Sequence, residues 1–185
     1  MGIIRKDYIL DRWVYYATGR KKRPREFKSL EIKENKVCYF CPSFEHLTPP
    51  EIGRVEYKGS WKIRWFLNKF PAVERKGNAK LKAKKYLLEG NSYGIHEVIV
   101  ETNHHKSQLW DLPASHIREI LEVCKFRINY LGRLKGIEYV GVFKNHGKDA
   151  GTSLAHSHTQ VMALPQIPSL VTEKIEAVRK YKHCP

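Results

Sequence analysis

The residues best suited to chemistry lie in one short segment, Asn145 to Gln160. Within it, His156, His158 and Gln160 alternate by two, so on a β-strand they would share one face. A loop with two glycines and two hydroxyl residues, 147–153, precedes them. Such a loop can direct backbone N–H groups and hydroxyls toward an anion. Because a neutral imidazole beside a phosphate can attack phosphorus and later leave again, the segment predicts covalent phosphate chemistry.

Other interpretations of this segment stay open. Paired histidines on a strand also bind metals or fill a polar face. The glycine- and hydroxyl-containing loop directly upstream favours the phosphate interpretation. Gln160 would then donate a hydrogen bond to a phosphate oxygen as the bond order changes.

A second chemical motif is the Cys-x-x-Cys formed by Cys38 and Cys41. This spacing supplies half of many zinc sites, and redox dithiols share it. A tetrahedral zinc site would need two further ligands, for which the nine histidines are candidates, but spacing does not identify them. Cys124 falls on the apolar face of a predicted helix and is expected in the core, whereas Cys184 is next to last.

Two further segments have the composition of nucleotide contacts. The basic run from Arg20 to Arg25 suits a phosphate clamp or a nucleic-acid patch, and equally a solvated basic loop. In the segment Phe66 to Pro71, Asn68 and Phe70 could hold a nucleobase between an amide and an aromatic ring. An ordinary strand-ending turn would have the same composition.

Strands and one long helix must position these residues. Apolar alternation and β-branched or aromatic runs predict strands at 11–17, Trp61–Leu67, His96–Glu101, Tyr139–Phe143 and about Ser157–Ala163. The clearest helix lies between Pro113 and Gly136, with Ser115 as N-cap, and a second spans Ser169 to Tyr181. The lysine-rich residues 75–85 are expected to form a solvated loop. This order predicts an α+β fold with a largely antiparallel sheet.

Length, composition and charge limit the class of protein and the kind of partner. The 185 residues suit one domain with a sizeable core, and the formal net charge is +15. We therefore expect an anionic partner, whether nucleic acid, nucleotide, sugar phosphate or acidic membrane surface. No apolar stretch approaches a membrane span of roughly 20 residues. Since Arg5, Lys6 and Asp7 also interrupt any signal-peptide pattern, we expect a cytoplasmic globular protein.

Taken together, the motifs resemble the N-terminal half of the galactose-1-phosphate uridylyltransferase family, a branch of the histidine-triad superfamily. The matching blocks, in order, are Arg12–Val14, Arg20–Pro24, Cys38–Pro42, Thr48–Glu51, Asn68–Pro71, Gly94–Thr102 and Asn145–Gln160. The resemblance implies a histidine-triad-like α+β domain over residues 1–168, with a mainly antiparallel sheet and a long helix packed on it. It also implies that residues 169–185 form a helical connector toward a second half that this chain lacks.

The resemblance implies a role for each matching residue. His158 matches the nucleophile that takes a nucleoside monophosphate from a nucleotide sugar as a covalent nucleotidyl-histidine, with Gln160 and Ser153 completing the catalytic set. The positions that match nucleotide contacts are Arg20, Arg23, Asn68, Phe70, Asn145, Gly151, Thr152, Ser153 and Gln160. The structural zinc site of the family falls on Cys38, Cys41, His105 and His156. His104 and His105 are adjacent, and alignment through the flanking residues favours His105 as the third ligand.

One departure concerns specificity. The family commonly has proline between the two motif histidines, whereas this chain has Ser157, which is closer to nucleotide phosphorylases and adenylyltransferases. The first hypothesis is a homodimeric enzyme of galactose and carbohydrate metabolism that transfers a nucleotide from a UDP-glucose-type donor to a sugar 1-phosphate. Alternatives are a phosphorylase or adenylyltransferase that acts on an ADP-sugar or dinucleoside polyphosphate, with inorganic phosphate as an acceptor, and a histidine-triad hydrolase.

An alternative from another class is a basic nucleic-acid-binding module, motivated by the charge of +15. The basic residues are dispersed along the chain, and no RNA- or DNA-binding motif recurs. The sequence therefore favours a small phosphorylated substrate over a nucleic acid.

Overall fold

The structure is a computed structural model that describes residues 2–7, 9–10, 12–23, 37–147 and 149–181. The elements of these residues are β1 (Ile3–Lys6), β2 (Trp13–Tyr16), β3 (Glu51–Tyr57), β4 (Ser60–Leu67), β5 (Leu81–Lys84), β6 (Leu87–Asn91), β7 (Ile95–Val100), α1 (Ala114–Gly132), β8 (Tyr139–Phe143), β9 (His158–Leu164) and α2 (Ser169–Arg179). The strands form a four-stranded sheet, β2-β1-β6-β5, and a five-stranded sheet, β3-β4-β7-β9-β8. Neighbouring strands in both sheets are antiparallel.

The central strand of the larger sheet, β7, is buried along its whole length because both faces of the sheet are covered. Its residues Ile95 and Ile99 pack with α1 residues in one apolar cluster. The alternate residues Val98 and Val100 belong to a second cluster on the opposite face. That second face carries the residues from which the candidate site is built.

Helix α1 packs on the first face through an apolar stripe. Its buried positions Ile120, Val123, Cys124 and Leu131 recur at helical spacing, and the core position predicted for Cys124 is confirmed. Arg127 lies in the same stripe and donates two hydrogen bonds to the Glu97 carboxylate, at 2.9 and 2.8 Å. Because both charges are buried, pairing is what allows them to lie between helix and sheet.

The second face is covered by the chain that follows Val37. Cys38 and Phe40 pack there against Trp61 and Phe66 of β4. Arg64, which is fully buried, donates to the Tyr39 carbonyl at 3.4 Å and so ties this segment to the sheet. The Cys-x-x-Cys segment is therefore held against the same side of the sheet as the amino end of β9.

The predicted α+β class, with a mainly antiparallel sheet and a long helix packed on it, is confirmed. The helix N-cap is Pro113 instead of Ser115, and the helix ends at Gly132, before Gly136. After the helix, the chain forms a turn in which the Ile137 amide donates to the Leu134 carbonyl at 3.1 Å.

The expectation of a loop over 75–85 is wrong at its carboxyl end. Strand β5 pairs with β6, with Leu81 opposite Gly90 and Ala83 opposite Leu88. Its apolar residues alternate with lysines, a period-two pattern that the density of lysines obscured. Strands β1, β3 and β6 were not predicted. Pro24, Arg25 and Cys184 lie outside the described residues.

In the described part of the chain, neither helix is long and apolar enough to cross a membrane.

Candidate functional site

A cavity of about 290 Å³ opens on the second face of the larger sheet. Its walls come from segments far apart in the chain: the basic turn near the amino terminus, the Cys-x-x-Cys segment, the end of β4, the loop before β9 and β9 itself. The sequence-predicted residues that line it are Arg20, Arg23, Asn68, Phe70, Gly151, Thr152, Ser153, His158 and Gln160. Folding thus brings nearly all the candidate nucleotide contacts to one place.

His158 is the first residue of β9 and lies at the cavity wall. Its Nδ1 is 2.8 Å from the backbone oxygen of His156. Because a carbonyl oxygen only accepts, Nδ1 must carry the ring proton, and Nε2 keeps its lone pair. Burial lowers the pKa of His158, with the charge of Lys144 acting in the same direction, so the imidazole is neutral near pH 7. A neutral ring with an available Nε2 has the form that a nitrogen nucleophile requires.

Strand β9 begins only at His158, so the predicted strand face is formed by His158 and Gln160, and His156 lies before the strand, completely buried. Both histidine rings contact the Phe40 ring, at centroid distances of 6.1 and 5.3 Å. Gln160 does share the face with His158, because these two residues alternate within the strand.

Arg20 and Arg23 both reach the cavity from the short 3₁₀ turn Thr18–Lys22 and its C-cap. Arg20 Nη1 donates to the Phe70 carbonyl at 2.9 Å, and Arg23 Nη2 donates to the Gly151 carbonyl at 3.3 Å. Burial lowers the pKa of Arg20, and the nearby charge of Arg23 adds to the effect. Two guanidinium groups close enough to repel each other form a site that an anion would stabilise.

The loop before β9 also faces the cavity. Gly147 and Gly151 have φ of +78° and +72°, a conformation that a side chain disfavours, and the Thr152 amide bonds to the Gly147 carbonyl at 3.3 Å. Thr152 and Ser153 line the cavity. Asn145 lies instead in an adjoining cavity that shares Thr152 and His158 with the first. It is the one predicted nucleotide contact outside the main cavity.

Asn68 and Phe70 form a turn at the end of β4. Asn68 Oδ1 accepts a hydrogen bond from the backbone amide of Phe70 at 2.8 Å. The backbone amide of Asn68 donates to the His96 carbonyl at 2.7 Å. The segment is therefore a strand-ending turn, and Asn68 and Phe70 line the cavity.

Sequence reasoning missed two aromatic residues of the cavity. Phe40 and Phe66 line it with their ring centroids 5.8 Å apart. Phe40 lies between the two cysteines of Cys-x-x-Cys, and Phe66 is the last buried residue of β4. Each belongs to a segment with another evident role, the Cys-x-x-Cys motif or a strand. Only the packing of these two segments indicates that the two rings form an apolar wall of the cavity.

A buried polar cluster behind His158 was also missed. Both oxygens of the Glu101 carboxylate accept hydrogen bonds from the residues that flank His158: Oε2 from Ser157, and Oε1 from Thr159 at 2.5 Å. Lys144 Nζ donates to Glu101 Oε2 at 2.6 Å and to Ser157 Oγ at 2.9 Å. Hydrogen bonds from these three residues hold the pKa of Glu101 low in spite of its burial. The charged carboxylate therefore anchors the backbone on both sides of His158.

Cys38, Cys41, His105 and His156 come together beside this cluster, and their potential ligand atoms all lie within 4.8 Å of one another. Cys41 Sγ is 3.3 Å from His105 Nδ1 and 3.6 Å from His156 Nδ1. Cys38 Sγ is 3.5 Å from His156 Nδ1. His104 is not in the group, and its backbone amide instead bonds to Thr102 Oγ1.

These distances fit a tetrahedral metal site. Bonds of about 2.3 Å to sulfur and about 2.0–2.1 Å to nitrogen place tetrahedral sulfur and nitrogen ligands about 3.5 Å apart. His156 Nε2 donates to the Thr102 carbonyl at 2.8 Å, which leaves Nδ1 unprotonated and facing the two cysteines. Burial lowers the pKa of His156 to about 4, so its ring is neutral as a metal ligand must be. The four residues could therefore hold a metal ion.

The fold and this constellation define an α+β domain in which a histidine faces an arginine-bearing, aromatic-walled cavity. Comparison with known proteins gives this class a family. Residues 4–168 match the model of the N-terminal domain of galactose-1-phosphate uridyl transferase. The chain belongs to this family, as the motifs had indicated.

The similar proteins include two related activities. The chain is 36% identical over 189 residues to the ADP-glucose phosphorylase of Arabidopsis thaliana, covering 96% of this chain and 53% of the relative. It is 27% identical to the galactose-1-phosphate uridylyltransferase of Thermotoga maritima, covering 98% and 54%. A crystal structure of the Arabidopsis enzyme with bound ADP-glucose matches at a TM-score of 0.68 and 33% identity, over 96% of this chain and 53% of that one. The chain thus spans about half the length of the curated relatives it matches.

Proposed function

We propose that this chain carries the nucleotide site and the nucleophile of an enzyme that transfers a nucleoside monophosphate from a nucleotide sugar to a phosphate-bearing acceptor. The observation that supports this most is the state of His158. Its proton is held at Nδ1 by a backbone carbonyl, while the ring borders a cavity lined by two arginines. An imidazole arranged in this way can attack phosphorus without first losing a proton.

The proposed reaction has two steps. In the first, His158 Nε2 attacks the α-phosphorus; the N–P bond forms as the P–O bond to the sugar 1-phosphate breaks, and the electron pair leaves with that phosphate. In the second, a phosphate oxygen of the acceptor attacks the same phosphorus, and the N–P electron pair returns to Nε2. The ring carries positive charge in the intermediate, which the hydrogen bond from Nδ1 to the His156 carbonyl stabilises.

The other cavity residues have roles in the same proposal. Arg20, Arg23, Gly151, Thr152 and Ser153 would neutralise or donate to phosphate oxygens. Gln160 would donate to an oxygen of the α-phosphate. Asn68 and Phe70 would contact the base and ribose, and Asn145 would reach the phosphate from the adjoining cavity. Ser153 and Gln160 complete the catalytic set with His158.

The first candidate donor is UDP-glucose, with a sugar 1-phosphate as acceptor, in galactose metabolism. A second candidate, phosphorolysis of ADP-glucose by inorganic phosphate, is favoured by the similarity to an ADP-glucose phosphorylase. The histidine-triad hydrolase is a third outcome, in which water removes the nucleotide. All three share the first chemical step and differ in the base and in the acceptor.

The nucleophile is tested with α-³²P-labelled UDP-glucose and ADP-glucose, each incubated with the full chain. We expect acid-labile, base-stable label on the protein with one of the two donors, and none on the His158→Ala variant. His46→Ala, which changes a histidine outside the cavity, is the matched control and should label like the wild type. Label that persists in His158→Ala would show that another residue is the nucleophile.

The acceptor is tested by adding candidates to the labelled protein after unreacted donor is removed. Release of label by galactose 1-phosphate supports the uridylyltransferase, release by inorganic phosphate supports the phosphorylase, and release in buffer alone supports the hydrolase. Tight binding of random RNA at moderate salt, with no labelling by either donor, would instead support the nucleic-acid-binding alternative.

Further parts of the proposal concern the whole protein. We assign zinc to Cys38, Cys41, His105 and His156, where it would hold the Cys-x-x-Cys segment against the residue before the nucleophile and supply no reaction chemistry. Residues 1–168 would form the nucleotidyltransferase domain, and 169–185 a helical connector. A homodimer and a cytoplasmic location, without membrane or nucleic-acid partners, stay predictions from sequence.

A further inference from the structure

We propose that His96 is a positioning residue that sets which end of the Gln160 amide faces the cavity. The inference rests on the proposed function, because it assigns Gln160 as a donor to phosphate. His96 itself does not line the cavity, so it would act only through its neighbour. It lies in the Gly94–Thr102 block, for which the sequence predicted no site residue.

The two side chains meet across neighbouring strands. His96 lies on β7 opposite Met162, and Gln160 lies on β9 opposite Val98. They are therefore diagonal neighbours on the cavity face of the sheet. Both are buried, with exposed fractions of 3% and 7%, so water cannot easily replace a hydrogen bond between them.

The position of the ring proton of His96 follows from its contact with a backbone N–H group, which can only donate. The backbone amide of Ala72 donates to His96 Nδ1 at 3.0 Å. Because a backbone N–H only donates, Nδ1 must be the acceptor, and the proton of the neutral ring lies on Nε2. His96 Nε2 lies 3.0 Å from Gln160 Oε1, so this N–H donates to the amide oxygen.

This bond decides the orientation of the Gln160 amide. A flipped amide would place its NH₂ group against the Nε2–H of His96, with two donors facing each other and no acceptor between them. The observed orientation therefore leaves the NH₂ group of Gln160 for the cavity side, where an anionic oxygen accepts hydrogen bonds. The chain of donors from Ala72 through His96 to Gln160 thus prepares a hydrogen-bond donor for phosphate.

The same chain connects two walls of the cavity. Ala72 follows Phe70 by two residues in the turn after β4. In the same turn, the backbone amide of Asn68 donates to the His96 carbonyl. Asn68 Nδ2 lies 3.2 Å from His96 Nε2, but both atoms are donors in this tautomer, so this contact is not a hydrogen bond. The turn that carries Asn68 and Phe70 is held beside His96 by the backbone N–H groups of Asn68 and Ala72, which donate to the His96 carbonyl and to His96 Nδ1.

The kinetic test uses the full chain and the donor that labels it, with variants His96→Leu, His96→Gln and Gln160→Ala. We expect His96→Leu to slow formation of the nucleotidyl-enzyme by about tenfold or more, with a nucleotide Kd within about threefold of wild type. His96→Gln keeps an N–H donor near the Nε2 position and should recover most of the rate. In the Gln160→Ala background, His96→Leu should cause little further loss.

The matched control is His116→Leu, which removes another buried histidine that does not contact Gln160. Because the two residues do not interact, the rate loss in the double variant His116→Leu, Gln160→Ala should equal the product of the two single losses. If the effects of His96→Leu and Gln160→Ala also multiply, or if His96→Leu reacts at the wild-type rate, His96 does not act through Gln160 and the inference is wrong.

A second measurement does not depend on catalysis. Long-range ¹H–¹⁵N NMR of the imidazoles should show His96 as the Nε2–H tautomer at pH 7.5, and the Gln160 side-chain amide should shift when ADP or UDP is added. In His96→Leu, this amide shift should be lost or strongly reduced. A His96 ring protonated at Nδ1 would overturn the inference even if labelling succeeds. Failure of the wild type to label would defeat the proposed function alone.

Discussion

Two histidines two positions apart have different chemistry because each is held by a different backbone carbonyl. The Thr102 carbonyl accepts from Nε2 of His156, which turns Nδ1 toward the cysteines, and the His156 carbonyl accepts from Nδ1 of His158, which leaves Nε2 for the cavity. A single hydrogen bond thus selects the tautomer of each ring. At this scale, the proposed nucleophile and the proposed metal ligand are distinguished by the carbonyl groups that accept from their rings, although their side chains are identical.

The phosphate role of the arginines is a prediction at the residue scale. Arg23→Met removes a guanidinium from the cavity wall, so we expect binding of ADP or UDP to weaken by about tenfold or more. Lys21→Met, which removes the same charge from an exposed position of the same turn, is the control and should change the Kd by less than about threefold. Isothermal titration calorimetry measures both. Equal losses in the two variants would mean that only net charge matters.

The buried pair behind the nucleophile gives a stability prediction. Lys144→Met leaves the Glu101 carboxylate, 1% exposed, without its cation, and we expect the free energy of unfolding to fall by about 3 kcal/mol. Lys125→Met breaks the pair with Glu122, which is exposed on both sides, and should change it by about 0.5 kcal/mol or less. Urea denaturation measures both variants. A loss below about 1 kcal/mol for Lys144→Met would show that Glu101 takes up a proton or reaches solvent instead.

At the scale of elements, the site depends on where strand β9 begins. In the segment before it, His156 lies next to the two cysteines of the Cys-x-x-Cys segment, and the strand then carries His158 and Gln160 at the cavity wall. Glu101, just after β7, bonds to the residues on both sides of His158. Two adjacent strands and one loop therefore position His158, the proposed nucleophile, and the proposed metal group lies against that loop.

The zinc assignment is tested on that loop. Protein purified without added metal should contain about one zinc per chain, and His105→Ala should lose it, while His104→Ala keeps it. Because the metal holds the loop, we also expect chelation to lower the melting temperature of the wild type and of His104→Ala but to have little effect on His105→Ala. Metal analysis and thermal unfolding with and without chelator measure this. A wild type free of zinc, with both thiols readily titrated, would contradict the assignment.

At the scale of the whole molecule, the two faces of the larger sheet have different roles. One face packs on α1 through a large apolar cluster, and the other bears the cavity. The polar residues buried on the cavity face include His96, whose ring must stay neutral for Nδ1 to accept the hydrogen bond from the Ala72 amide. The fold is therefore expected to weaken in acid before its carboxylates are all protonated.

This acid dependence is a prediction with a defined window. Burial, together with the nearby charge of Arg20, lowers the pKa of His96 to about 4 from an ordinary value near 6.5. Between these values the unfolded chain binds the extra proton, so stability falls as the pH drops from about 6.5 to about 4. His96 alone would account for roughly 3 kcal/mol of that loss. Denaturation at several pH values should show a shallower dependence for His96→Gln than for wild type; parallel curves would contradict the assignment.

Much of the architecture could be predicted from local pattern. The long helix, strands β4, β7, β8 and β9, and the α+β class follow from apolar periodicity, which the chain shows wherever one side of an element is buried. Strands β1, β3, β5 and β6 could not be predicted in this way. In β5, for example, apolar residues alternate with lysines on a mostly exposed hairpin, and pairing with β6 is what makes it a strand.

The sequence by itself determined which residues could do chemistry, because residue type and spacing limit the possible ligands and nucleophiles: Cys38 and Cys41, the histidines around 156–158, and the glycine-containing loop. Only the tertiary structure decided how they are used. It brought His105 and His156 together with the two cysteines, gave the rings of His156 and His158 different acceptors, and placed Glu101 and His96 beside the site. The physical reason is that hydrogen bonds and ligand distances act over about 3 Å between residues that are distant in the chain, and local sequence contains no record of them.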